Sequence, residues 1–211
     1  MTLTLITGGS RGLGFATAAA LKEQGHELIL VSKDPSRLTA AAEQLGARRY
    51  AINLEDIDNV ESSFMQIIDE CGVPDNLIAS HGVMSDRMAK TLRTNMAEWR
   101  RVMSINLDST FSAVNIFGAA MNERRSGRII IFSACLGRMS GPGNAGGLAP
   151  YRISKAGVNA LVRNLAHETN HGSRGLFVDA VCPNHSRTDM GGENAPLSAE
   201  EGAQTAIWLA T

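Results

Sequence analysis

The pair of residues in this chain best suited to proton chemistry is a phenol and an ammonium one helical turn apart. In Tyr151-Arg152-Ile153-Ser154-Lys155 the two ends stand at i and i+4, a spacing that puts side chains on one helix face. A free tyrosine titrates near about 10. A neighbouring positive charge favours the phenolate, so Tyr151 reads as an acid/base group whose pKa Lys155 lowers. Taken alone, the pair is also an ordinary feature of an amphipathic helix. The N-terminus supplies a context. The apolar run Thr2-Leu3-Thr4-Leu5-Ile6 breaks into Thr7-Gly8-Gly9-Ser10-Arg11-Gly12-Leu13-Gly14 and then into an Ala-rich stretch, which reads as strand, glycine turn and helix. Glycines let the backbone turn tightly, approach a pyrophosphate and pack the helix on the sheet. The helix N-terminus then offers unpaired N–H groups and a positive dipole end to phosphates.

The elements that must hold these groups alternate along the chain. Strands are expected at Glu27–Ser32, Arg48–Asn53, Asn76–Ser80, Arg128–Ser133 and Leu176–Cys182, each preceded by a helical segment. Asp34-Pro35 caps one helix and Gly46 closes it. Ile57, Val60, Phe64, Ile67 and Ile68 recur at helical spacing in the next. Two long helices are expected, Met96–Met121 and Tyr151–His171. Alternation of this kind implies an α/β fold, a doubly wound parallel sheet of Rossmann type in a single domain over residues 1–211. Ligands then bind beyond the carboxyl ends of the strands, where strand order reverses. The glycine-rich stretch Ser140-Gly141-Pro142-Gly143-Asn144-Ala145-Gly146-Gly147 suits neither helix nor strand and reads as part of a substrate loop over about 134–150.

With these motifs in view, the chain resembles the short-chain dehydrogenase/reductase family over nearly its whole length. The marks are Thr7-Gly8-x-x-x-Gly12-x-Gly14, Asn106 within Ser104-Ile105-Asn106-Leu107, the Gly127-to-Ser133 strand, Tyr151-x-x-x-Lys155, and Pro183 followed by Thr188. The resemblance implies that Tyr151 donates a proton to a substrate carbonyl, that Lys155 binds the nicotinamide ribose, and that Asn106 anchors a water linked to the lysine. Asn106 also reads as a core amide satisfying a helix kink. The dinucleotide is expected against Gly8, Ser10, Arg11, Gly12, Leu13, Gly14, Ser32, Lys33, Asn53, Leu54, Ser80, Gly82, Tyr151, Lys155, Pro183 and Thr188. A base after the second strand accommodates a 2′-phosphate where an acid would bond a ribose hydroxyl. Lys33, helped by Arg11, therefore favours NADP(H) over NAD.

The chain departs from the family at several of these places. The serine that usually bonds the substrate carbonyl is Ala134 in the register set by Gly127, leaving Ser133, which the pleat aims elsewhere. Ala79-Ser80-His81-Gly82 replaces Asn-Asn-Ala-Gly. Asn53 stands where an Asp often meets the adenine, and Asn184 follows Pro183 where Gly is usual. The chain stops at Thr211, before the last strand that family members usually add; because that region helps build the pocket in the family, the resemblance implies that the segment from about 183 to 211 lies near the pocket. Met84, Leu136, Met139 and Met190 suggest a partly apolar substrate site, with His185 near its mouth.

A formal net charge of -1 and no basic block argue against nucleic acid or an anionic membrane. The absence of a long apolar run or secretory start points to the cytoplasm. Cys71, Cys135 and Cys182 lack metal spacing and read as reduced thiols. His167-Glu168-Thr169-Asn170-His171 matches a zinc-peptidase pattern, but both histidines fall on the solvent face of the expected helix, so no metal is expected. The leading expectation is an NADP(H)-dependent reductase of a small carbonyl compound, or the reverse alcohol oxidation, in a homodimer paired through the two long helices. Two others stand beside it: a non-redox dehydratase, isomerase or cyclase using Tyr151, and an NADP(H)-binding protein without turnover.

Overall fold

The computed structural model describes residues 1–86, 89–140 and 146–211. Most of the glycine-rich stretch 140–147 therefore lies outside the described residues. Strands β1 (Leu3–Thr7), β2 (Glu27–Ser32), β3 (Arg48–Ala51), β4 (Asn76–Ala79), β5 (Gly127–Phe132) and β6 (Leu176–Val181) form one parallel sheet in the order β3-β2-β1-β4-β5-β6. The order reverses between β1 and β4, which opens a crevice at their carboxyl ends.

Helices α1 (Gly12–Glu23), α2 (Pro35–Leu45) and α3 (Ile57–Cys71) follow the first three strands. After β4, α4 (Met96–Met103), α5 (Ser109–Ala113) and α6 (Ala119–Arg124) run on as one helix through the π turns Ser104–Asp108 and Val114–Gly118. α7 (Ala149–Glu168) precedes β6, and α8 (Ala199–Ala210) follows it. Strand residues alternate between two cores, as a pleat covered on both faces requires. Leu5, Ile29, Leu77 and Ile129 pack with Phe64, Phe117 and Val158, whereas Ile6, Leu30, Ile78 and Ile130 pack with Leu21, Leu38 and Ala206. Each fully buried aliphatic side chain contributes about 1.5–3 kcal/mol.

The caps follow from local chemistry. The Asp34 carboxylate accepts from the amides of Ser36 and Arg37 at 3.0 and 3.1 Å, Pro35 needs no partner at the first helical position, and Gly46 closes α2 at φ 57. Ser198 and Glu201 form a reciprocal capping box on α8. β2 has its expected bounds, and β3 to β6 end one or two residues before theirs, because ladder bonds fray there. The second long helix differs more. It begins at Ala149 and stops at Glu168, and Asn170 and His171 take left-handed backbone, each at φ 52. His171 thus lies past the helix end, so the His-Glu-x-x-His pattern is not a helical one. Both rings are exposed and meet edge to face at 4.5 Å. Among the described residues no helix is long and apolar enough to cross a membrane.

Candidate active site

The glycine turn between β1 and α1 forms one wall of a cavity of about 200 Å3. Gly8, Ser10, Arg11, Gly12, Leu13 and Gly14 line it from this turn, with Ser32 and Lys33 after β2, Asn53 and Leu54 after β3, Ser80 and Gly82 after β4, and Thr188 from the segment after β6. α1 begins at Gly12 with no side-chain cap, so its leading N–H groups remain for an anion. At Gly14 a Cβ would stand 2.3 Å from both the Gly8 carbonyl oxygen and the Ser80 Oγ. Only glycine allows the helix to approach the turn this closely. An uncapped helix end over a bare glycine backbone fits a pyrophosphate.

Charge gathers at the β2 end of this cavity. The Arg11 guanidinium pairs with Asp189, Arg37 reaches the same carboxylate at 3.2 Å, and Arg37 lies 3.5 Å from Asp34. Asp189 is held below the usual carboxylate range, first by its hydrogen bond from Arg11 and then by the surrounding positive charge. Arg11, expected to help Lys33 meet a 2′-phosphate, is thus already paired with a carboxylate. Arg37 and Asp189 escaped the sequence reading, although Arg37 follows Asp34-Pro35 by one turn and Asp189 adjoins Thr188.

A second cavity, of about 400 Å3, continues from the first, and Leu13, Ser80, His81, Gly82, Thr188 and Met190 border both. Tyr151, Lys155, Ser133, Ala134 and Pro183 line its far part. Tyr151 and Lys155 are buried on one face of α7. Their electrostatics differ from the expectation. Burial pushes the Tyr151 hydroxyl up to about 12, with the Cys182 and Cys135 thiols adding to it. Burial also brings Lys155 down to about 8. The ammonium donates to the Phe132 carbonyl at 2.7 Å. Within the chain itself, loss of hydration outweighs any help the phenolate receives from the lysine.

Asn106 is fully buried inside the first π turn. Its Oδ1 accepts from the Val83 amide at 2.8 Å, and its Nδ2 donates to the Val83 carbonyl and the Ser154 Oγ, both at 3.0 Å. It thus clamps the loop after β4 to α7. A Cβ on Gly82 would lie 3.4 Å from Asn106 Oδ1 and 3.5 Å from Lys155 Nζ, so the bare backbone there lets the amide and the ammonium face one space. Ser133 reaches the cavity wall, but its hydroxyl donates to Asn159 Oδ1 at 2.6 Å. It is committed to α7 and not to a substrate, as the pleat implied. Met84, Leu136 and Met190 line the second cavity. Met139 does not. The 3-10 turn Cys135–Gly137 carries it out to a separate groove beside Asn159 and Arg163.

The model of the family described as short chain dehydrogenase matches residues 2–197. This chain belongs to the short-chain dehydrogenases. Among the relatives of this short-chain dehydrogenase are proteins named 3-oxoacyl-[acyl-carrier-protein] reductase FabG. That of Vibrio harveyi is 33% identical over 190 residues, covering 89% of this chain and 75% of its own. That of Escherichia coli (strain K12) is 34% identical with the same coverage. Among solved structures, one described as ribose-5-phosphate isomerase from Brucella melitensis 16M superposes with a TM-score of 0.87 at 27% identity, covering all of this chain and 85% of its own. A dehydrogenase/reductase from Sinorhizobium meliloti 1021 gives a TM-score of 0.85 at 26% identity, covering 99% and 87%.

Two departures of this short-chain dehydrogenase have structural reasons. Asn184 takes left-handed backbone at φ 57, the conformation glycine adopts freely and asparagine tolerates best among other residues. His81 stands where the family pattern has the small residue Ala, and it braces the crevice. Its Nδ1 lies 2.5 Å from Thr7 Oγ1, and its Nε2 lies 2.9 and 3.1 Å from the hydroxyls of Ser109 and Thr110. The ring ties β1 to α5 across the crevice. Burial, followed by the Lys155 charge, pushes its pKa down to about 3, so the imidazole is neutral at physiological pH. An unfolded histidine titrates near about 6.5 and binds the extra proton between these values. Stability therefore falls as pH drops from about 6.5 toward 3, by roughly 1 kcal/mol per unit. His81→Asn is expected to lose about 1–3 kcal/mol at neutral pH and to flatten that slope. Urea midpoints across the range check both; an unchanged slope removes His81 as its source.

Proposed function

We propose that this short-chain dehydrogenase is an NADP(H)-dependent reductase of a small, partly apolar carbonyl compound, or the oxidant of the corresponding alcohol. The observation that carries this reading is the continuity of the groove: the glycine cradle opens directly into the cavity where Tyr151 and Lys155 share a helix face. When bound, the nicotinamide would supply the hydride. The residues do the rest. Tyr151 holds a proton for the carbonyl oxygen, Lys155 supplies positive charge beside it, and Asn106 keeps α7 and the β4 loop at fixed separation. The 3-oxoacyl substrates named for the relatives make 3-oxoacyl thioesters the first carbonyls to try. The exposed Phe111 and Ile153 on the long helices support a homodimer, and we take the protein to act in the cytoplasm.

The decisive experiment is titration with NADPH against NADH, followed by a carbonyl panel read as loss of nicotinamide absorbance. Lys33→Ala is expected to weaken NADPH about tenfold and to leave NADH unchanged. Asp189→Ala should act the other way, because its carboxylate holds the cations a 2′-phosphate would use. An exposed ion pair of this kind holds its partners only weakly, so NADPH binding should tighten by about two- to fivefold. Equal affinity for the two dinucleotides in the wild type would remove the phosphate preference. Ala134 and the likeness to a structure described as an isomerase favour a second reading, a non-redox reaction using Tyr151 as acid and base. Substrate conversion without NADPH oxidation would select it.

A further inference from the structure

We propose that Cys135 and Cys182 form a dithiol modification site in the wall of the substrate cavity, which peroxides convert reversibly to a disulfide that cross-links the wall beside Tyr151 and lowers turnover. The effect on turnover rests on the reductase reading; the bond itself does not.

The sheet brings the two thiols together. β5 and β6 are neighbours with Phe132 opposite Val181, and the Ser133 amide donates to the Val181 carbonyl at 2.8 Å. Beyond this point the chain enters the 3-10 turn at Cys135, whose amide donates to Cys182 Sγ at 3.1 Å. That contact sets one sulfur within a side-chain length of the Cys135 Cβ. Disulfides join Cα atoms roughly 4.4–6.8 Å apart, and rotation of Cys135 about χ1 is the movement that closes the gap. Cys135 is exposed and Cys182 half-buried, and both border the cavity with Tyr151. Cys71 lies beside Tyr50 at the opposite edge of the sheet, 3.1 Å from its hydroxyl, too far to compete.

The more exposed Cys135 attacks the peroxide first. An S–O bond forms, the O–O bond breaks, and water or an alcohol leaves, giving a sulfenic acid. The Cys182 thiolate then attacks that sulfur, forming S–S, breaking S–O and releasing water. Two thiols lose two electrons and two protons, which the peroxide takes up, and a dithiol reductant reverses the change. The new bond ties the exits of β5 and β6 together beside Tyr151. It leaves the glycine cradle untouched.

Purified full-length protein is treated with hydrogen peroxide, its free thiols are counted and its peptides mapped without reduction. The expected result is loss of two of the three thiols and a Cys135–Cys182 cross-link. The link should be absent in Cys135→Ser and in Cys182→Ser and retained in Cys71→Ser. Sulfinic acid at either cysteine without the link, or a link through Cys71, overturns the site. In cross-linked protein, carbonyl reduction should fall by about tenfold or more, recover with dithiothreitol, and leave NADPH affinity within about twofold. Full turnover in cross-linked protein overturns the effect on the cavity. Mapping needs no activity, so a failed reductase reading and a failed dithiol site give different results.

Discussion

Tyr151→Phe is expected to lower carbonyl reduction by about 100- to 10,000-fold, the usual contribution of a positioned acid, while NADPH titrates as in the wild type. The substitution removes one oxygen from a side chain that is only 6% exposed and leaves the ring to fill its place. Folding and the glycine cradle should therefore persist. The pH profile separates the two partners. Burial keeps the proton on Tyr151 up to about 12, so the phenol is a competent acid across the accessible range. Lys155 titrates near about 8. Its ammonium is present below that pH and lost above it, so reduction should be level on the acid side and fall as pH rises through about 8. Undiminished turnover in Tyr151→Phe would remove the phenol from the mechanism. A rate that stays level well past pH 8 would remove the lysine's charge.

Ala134→Ser is expected to raise carbonyl reduction by about 100-fold, because a donor aimed at developing oxyanion charge is commonly worth 100- to 1,000-fold. The wild-type wall lacks that donor. Ala134 has extended backbone and lines the cavity with Tyr151, whereas Ser133 turns its hydroxyl to Asn159. A serine at 134 would stand on the cavity side of the pleat. The readout is kcat with a fixed carbonyl and saturating NADPH. An unchanged rate would mean that another group already supplies the hydrogen bond, or that reduction is not the reaction.

Much of this architecture is legible in the residues. Alternating apolar strands, Asp34-Pro35, Gly46 and the turn from Thr7 to Gly14 are local signals, and the strands and caps follow them closely. The expected dinucleotide residues come together for the same reason: in a parallel sheet every strand-to-helix turn lies at one end. Long-range events were less legible. His81 bridging Thr7 to Ser109 and Thr110 depends on contacts between distant segments, whereas the end of α7 before His171 and the turn carrying Met139 out of the cavity are local backbone events that helical and loop composition left open.

The order of residues by itself determined the doubly wound fold, the anion-ready glycine turn and the alignment of Tyr151 with Lys155, since each depends on backbone preferences within a few residues. Tertiary structure alone decided the state of those groups. It raised the phenol where the sequence implied a lowered one, set Asp189 against Arg11 and Arg37, turned Ser133 away, and brought Cys135 to Cys182. Hydration, ion pairing and thiol proximity depend on what surrounds a group in space, and those neighbours come from segments far apart along the chain.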